Sequence, residues 1–264
     1  SDILMLPYGL GQDVRFEKNF GPKLGEINID EILQTTEDEF IKKLKPVYEL
    51  INISSKSNLI KNKDLFGFVG APWTILVYMI NQISPKKELK ANFFADDLLI
   101  QKLLSVIVKF LKIHINEQVN SGATIIQIFD SWAGLLDEKK IDLLIYKPTE
   151  ELVSFTKSLN VPVICFPREI KDYKEYVSNV KPDVVNIDYS VNPNDIVKNI
   201  KIPVQGGLDP KILLTDKNNI KKNAIKYMEI FRDHPYIFNL GHGVLPETDP
   251  DMVKYLVNII REFK

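Results

Sequence analysis

"TIIQIFDSWAG", residues 124–134, decides how the rest of the chain is read. Its first six residues are mostly β-branched or aromatic and lack the strict polar alternation of a half-exposed strand. A run of that kind is expected of a parallel strand covered on both faces. The last five residues hold an acid, a hydroxyl and a glycine, which suit a turn. A strand that runs through a polar turn into a helical pattern is the repeating unit of an α/β protein.

Outward from this stretch the unit recurs. "LFGFVG" (65–70) and "DILML" (2–6) lie upstream, and "VPVICF" (161–166), "DVVNID" (183–188), "IPVQG" (202–206) and "YIFNLG" (236–241) lie downstream. Apolar residues at helical spacing fill the intervals, as in "DEFIKKLKPVYELI" (38–51), "LLIQKLLSVIVKFLKIHINEQV" (98–119) and "DPDMVKYLVNIIREF" (249–263). Two stretches break the rhythm. "DVRFEKNFGPKLGEIN" (13–28) reads as an extended loop or small hairpin, and "SPKKELKANFFADD" (84–97) as a loop before the longest helix.

Seven runs with no GxGxxG after the first argue against a dinucleotide-binding sheet. They favour a (β/α)₈ TIM barrel, whose usual length is about 250 residues. The expectation is therefore one barrel domain over residues 1–264, showing about seven strands because the first βα unit is missing. No linker or composition break divides the chain.

Composition removes several function classes. With 34 basic against 35 acidic residues, no broad basic face is available for nucleic acid. The one cysteine, Cys165, excludes an intramolecular disulfide and a thiolate-rich zinc site, and there is no HExxH and no P-loop. No apolar run approaches the ~18 residues that span a bilayer. A cytoplasmic protein without membrane or metal is expected.

In a barrel the chemistry gathers at the C-terminal ends of the strands. Those positions bring up Asp2, Tyr78 on the helix after "GAPWT", Ser131, and His242 in "NLGHG". Each has a plain alternative. Asp2 and Ser131 fit as caps, Tyr78 as core, Asp209 before Pro210 as a helix cap, Trp73 and Trp132 as packing, and the glycines as turns. His242 stands out, because Gly241 and Gly243 leave bare backbone on both sides of it. His114 and His234 read as structural, and Cys165 as an inert buried thiol.

"SDILMLPYGLG", "GFVGAPWTILVYMI", "QIFDSWAG", "VPVICFPR", "QGGLDP" and "FNLGHGVLPETDPDMVKYLV" resemble, in order and spacing, the uroporphyrinogen decarboxylase family over essentially the whole chain. The resemblance implies a homodimeric barrel without metal or organic cofactor. Such an enzyme removes carbon dioxide from the four acetate arms of uroporphyrinogen to give coproporphyrinogen, on the route to haem. It further implies that Asp2 holds the pyrrole N–H groups, that Tyr78, Ser131 and His242 contact the carboxylate arms or the reacting ring, and that Phe68 and Phe129 line the cleft. Asp2, Tyr78 and His242 are the implied catalytic residues.

Family arginines in an M-R-Q-A-G-R-Y motif, which bind substrate carboxylates, lie upstream of Ser1, and Arg168 is not expected to replace them because it ends a different strand. Gly207 stands where the family commonly shows Asn. Two other readings compete. One is a corrinoid-dependent methyltransferase relative, which needs zinc ligands this chain lacks in sequence. The other is a non-catalytic tetrapyrrole-binding fragment.

Overall fold

The computed structural model describes residues 2–17, 21–85, 88–90 and 93–263. The chain opens as a helix, α1 (Met5–Gly9), and not as the strand expected of "DILML". Asp2 Oδ1 accepts the Leu4 N–H at 2.9 Å, so the carboxylate begins a turn. Pro7 falls in the first helical turn, where its missing N–H costs nothing. Leu6 and Leu10, one turn apart, are both fully buried. A short apolar run fits strand and helix alike, and here the turn at Asp2 selects the helix.

The stretch that breaks the rhythm next is the expected hairpin, β1 (Val14–Glu17) paired antiparallel with β2 (Gly21–Leu24); its residues 18–20 lie outside the described residues. Helix α2 (Ile29–Gln34) leads to α3 (Glu37–Ser55), which starts at a reciprocal Thr36–Glu39 capping box.

The regular part follows as β3 (Phe66–Gly70), α4 (Pro72–Asn81), α5 (Asp97–Asn120), β4 (Ile125–Asp130), α6 (Glu138–Ile141), α7 (Lys147–Ser158), β5 (Val163–Pro167), α8 (Tyr173–Val180), β6 (Val184–Ile187), α9 (Pro193–Asn199), β7 (Val204–Gly206), α10 (Lys217–Ile230), β8 (Tyr236–Ile237) and α11 (Pro250–Glu262). Of the polar segment 84–97, residues 86, 87, 91 and 92 lie outside the described residues, and Asp96 caps α5 by accepting the Leu99 N–H at 2.9 Å.

Six of the seven expected runs are strands, and they form one parallel sheet in the order β3-β4-β5-β6-β7-β8. Each strand pairs with the next in sequence, the one-step progression of a (β/α) barrel. Register gives the two faces. Val69, Ile128, Cys165, Val185 and Val204 share one layer and are almost wholly buried. That face packs on helices: a Cβ added at Gly67, on the same side, would lie 2.9 Å from Gln118 of α5. The opposite face carries Phe68, Gln127, Phe129, Phe166, Asn186 and Gln205 towards the barrel interior. Among the described residues, no helix is long and apolar enough to cross a membrane.

Several plain readings hold. His114 is buried in α5 with Nδ1 3.1 Å from the Tyr48 hydroxyl, and burial pulls its pKa down to about 4. His234 lies 3.0 Å from the Ile202 carbonyl. Trp73 is fully buried and donates to the Trp132 carbonyl at 2.8 Å. Asp209 caps the short helical turn Pro210–Leu214. Cys165 is buried, and burial pushes its thiol up to about 12. Ser131 does not cap, because the turn after β4 begins at Trp132 with no side-chain cap.

Candidate active site

The site is assembled from strand ends and the loops after them. β3 ends at Gly70, where an added Cβ would lie 2.6 Å from Ile75 and 3.2 Å from the Ile3 Cβ. Glycine therefore lets Ile3 dock against the end of β3, and Asp2 precedes it there. One Asp2 oxygen holds the Leu4 N–H, and the other has no protein partner among the described residues. Asp2 also borders a cavity of about 570 Å³ lined by Met5, Phe16, Pro46, Val47 and Leu50. Tyr78, Ser131 and His242 do not line that cavity.

Tyr78 and Ile80 are the two half-buried residues of an otherwise buried α4. Burial raises its hydroxyl pKa, with Trp132 and Ser84 hydrogen bonding and the Arg168 charge opposing and the Asp2 charge adding to the rise. The hydroxyl therefore lies within electrostatic reach of Asp2 on one side and Arg168 on the other. Its ring meets the Trp132 indole edge-on at 6.0 Å.

His242 is exposed on the rim, but neighbouring atoms desolvate its ring and lower its pKa. The Arg168 charge lowers it further, against the pull of Glu169 and Asp188. An imidazole so placed is neutral at pH 7. Its loop is pressed onto the loop after β6, because a Cβ at Gly241 would fall 2.4 Å from the Tyr189 backbone nitrogen. Gly241 is needed for close approach, whereas Gly207 has a φ of 102°, a left-handed value that disfavours the Asn common in the family.

The Arg168 charge thus acts on both Tyr78 and His242, and the Asp2 charge on Tyr78. Ser131 sits between Asp130 and Trp132 and, among the described residues, makes no hydrogen bond to the other three. Below them Phe68, Phe129 and Phe166 form an edge-to-face row, with centroids 6.1 and 6.2 Å apart. Next to this row lies a polar floor that sequence reading missed. Gln205 Nε2 donates to Asn186 Oδ1 at 2.6 Å and to Gln127 Oε1 at 3.4 Å. The available signal was one amide interrupting each of three otherwise apolar runs.

Two buried acids brace the rim from behind. Asp130, at the end of β4, accepts the Thr74 hydroxyl at 2.6 Å, and Thr74 in turn accepts the Trp132 N–H at 3.1 Å. Burial pushes the Asp130 carboxyl up to about 7, with the Thr74 bond opposing. Asp188, after β6, accepts the Glu169 N–H at 2.8 Å, the Ser190 N–H at 2.8 Å, the Tyr173 hydroxyl at 3.0 Å and the Ser190 hydroxyl. Burial would raise its pKa, but these donors together hold it below the usual carboxylate value. Among the described residues, no group of three His, Cys, Asp or Glu is placed to hold a metal ion.

A parallel one-step sheet, with carboxylate, phenol, imidazole and guanidinium groups around the C-terminal ends of its strands, defines the class as a (β/α)-barrel enzyme. The family model described as uroporphyrinogen decarboxylase (URO-D) matches residues 1–263. The uroporphyrinogen decarboxylase of Rickettsia bellii is 37% identical over 272 residues, covering 100% of this chain and 79% of that protein. Its Rickettsia felis counterpart is 35% identical over 271 residues, covering 100% of this chain and 78% of that one. The chain belongs to the uroporphyrinogen decarboxylase family, whose fold is the TIM barrel. Among solved structures, a methyltransferase from Methanosarcina mazei superposes with a TM-score of 0.78 at 16% identity, covering 98% of this chain and 78% of that one. At that identity the likeness speaks for the fold alone.

Proposed function

We propose that the protein is a uroporphyrinogen decarboxylase, a carboxy-lyase that converts the four acetate arms of uroporphyrinogen to methyl groups without a cofactor. The family match across residues 1–263 carries this reading.

The substrate is a flexible macrocycle with four inward N–H donors and eight outward carboxylates. In this reading Asp2 accepts pyrrole N–H groups with the oxygen that Leu4 leaves unused, drawing the rings into a bowl. A proton adds to a pyrrole carbon and makes the ring cationic. The bond to the carboxylate carbon breaks, its electron pair flows into that ring, and carbon dioxide leaves. A proton then reaches the new methylene and the ring proton departs, leaving a methyl group and the neutral pyrrole. The Asp2 carboxylate stabilises the cation in the transition state, which is electrostatic catalysis. Tyr78, Ser131 and neutral His242 donate hydrogen bonds to carboxylate arms, while Phe68 and Phe129 form the apolar wall. The chain works as one domain, in a cytoplasmic homodimer.

Incubation with uroporphyrinogen under anaerobic conditions tests this. Four equivalents of carbon dioxide per macrocycle and coproporphyrinogen are expected, and no release of carbon dioxide would overturn the assignment. Light scattering of the purified protein reports the dimer. The methyltransferase reading gains no support from a likeness in fold alone.

A further inference from the structure

By sequence Arg168 ends a different strand from the family's arginines, which argues against its replacing them. In a barrel that objection has little weight, since all strand ends converge on one mouth. We propose that Arg168 is the carboxylate receptor of this mouth, and that Glu169 is a placeholder which a substrate carboxylate displaces. The proposal rests on the decarboxylase reading and adds a specificity-determining residue to it.

Three observations carry it. First, the root of the side chain is fixed: the Arg168 N–H donates to the Asp130 carbonyl at 3.0 Å, and the Arg168 carbonyl accepts the Gly134 N–H at 3.1 Å. The guanidinium thus projects from a clamped backbone, as a preorganised binding group should.

Second, donors outnumber acceptors around it. Arg168 Nη2 reaches Glu169 Oε1 at 2.7 Å, but its Nε is buried with no hydrogen-bond partner among the described residues. A surplus of N–H groups at one place fits an anion, and a guanidinium fits a carboxylate through two parallel bonds.

Third, Glu169 is built to let go. Its side chain is 53% exposed, and an exposed pair of this kind contributes only ~0–1 kcal/mol. Its backbone is held in the left-handed region at φ 60° by the Asp188 bond, so the side chain can swing without moving the loop. The charge of Arg168 reaches both Tyr78 and His242, so an arm bound there lies beside both neutral donors.

The test is a fluorescence titration of the protein with uroporphyrin, the oxidised and unreactive octacarboxylate, and with its octamethyl ester. Arg168→Met should weaken uroporphyrin binding about tenfold, the size of one lost charge-assisted pair, and leave the ester unchanged. Arg168→Lys, which keeps charge but loses the fork, should weaken it about threefold. Glu169→Gln should tighten it about twofold, since the placeholder competes less. In turnover, Arg168→Met should raise KM with kcat within about twofold.

An Arg168→Met protein with native circular dichroism and wild-type uroporphyrin affinity would overturn the proposal, as would equal losses for acid and ester. Wild-type protein that binds neither porphyrin would overturn the decarboxylase reading itself, and this proposal with it.

Discussion

Asp130 and Asp188 are the same residue in nearly the same place, and the protein treats them in opposite ways. Both are buried where a barrel strand gives way to its loop. Asp188 is surrounded by donors from three segments and is held charged. Asp130 has the Thr74 hydroxyl on one oxygen and, among the described residues, nothing on the other, so burial holds it near neutrality. Burial alone does not fix the state of a carboxylate; the number of donors that reach it does. The difference also divides the labour. Asp188 ties the β5 and β6 loops together by charge, while Asp130 steadies Trp132 through a hydroxyl.

Removing the richer partner should cost most. Asp188→Ala strands the Glu169 and Ser190 N–H groups and the Tyr173 hydroxyl, and should destabilise the fold by ~3–5 kcal/mol. Urea unfolding at pH 7 reads this, and a loss under 1 kcal/mol would break the contrast.

The pH dependence should then separate the two acids by sign. Asp130 has its folded pKa raised to about 7 from 3.8, so the folded state binds the extra proton between those values. Its share of stability is therefore lost as pH rises from about 4 to 7, by at most ~4 kcal/mol. Asp188 has its folded pKa lowered, so its share is present above the unfolded value and lost as pH falls below it. Asp130→Asn should abolish the loss between pH 5 and 7 while leaving the acid-side loss in place. Unfolding midpoints across pH 3–8 check this, and an unchanged slope in Asp130→Asn would show that other groups set it.

A third carboxylate sharpens the comparison, because Asp2 is only half-buried and has one oxygen without a partner among the described residues. Asp2→Asn should leave stability within ~1 kcal/mol and lower kcat by 10²–10³, roughly the loss of one transition-state electrostatic contact. Steady-state decarboxylation reads it, and near-normal turnover would reduce Asp2 to a turn former. The smallest effect belongs to Thr74→Val, which removes the one donor to Asp130 and the acceptor for the Trp132 N–H. It should cost ~1–2 kcal/mol and raise the Asp130 pKa further. Carboxyl NMR of Asp130 checks the shift, and a falling pKa would mean that another donor had taken over.

Much of the architecture was legible in the sequence because periodicity is a physical requirement. "TIIQIF" had to be a strand covered on both faces, and residues 98–119 had to be one long amphipathic helix. "DILML" was misread because the deciding contact, Asp2 to the Leu4 N–H, is a local turn that does not alter the apolar pattern. "FD" at 129–130 and "ID" at 187–188 look alike. Their donors arrive from Thr74 and Tyr173, and only the fold shows which acid is surrounded. The amides Gln127, Asn186 and Gln205 were visible singly, but their meeting depends on strand register. Asp2, Tyr78 and His242 stand on family resemblance, and the place of Arg168 beside them depends on strand ends converging, which no single strand shows.

The fit of Ile3 against Gly70 sets a machining tolerance for the chemistry. Asp2 is placed beside a contact between its neighbour and a bare α-carbon, where an added methyl would lie only 3.2 Å from the Ile3 Cβ. Alanine at position 70 would push Ile3 and Ile75 aside by a few tenths of an ångström or more and carry Asp2 with them. Reaction rates fall ~10²-fold for misplacements near 1 Å. In the role proposed for Asp2, its position is thus set at a residue that need never touch the substrate.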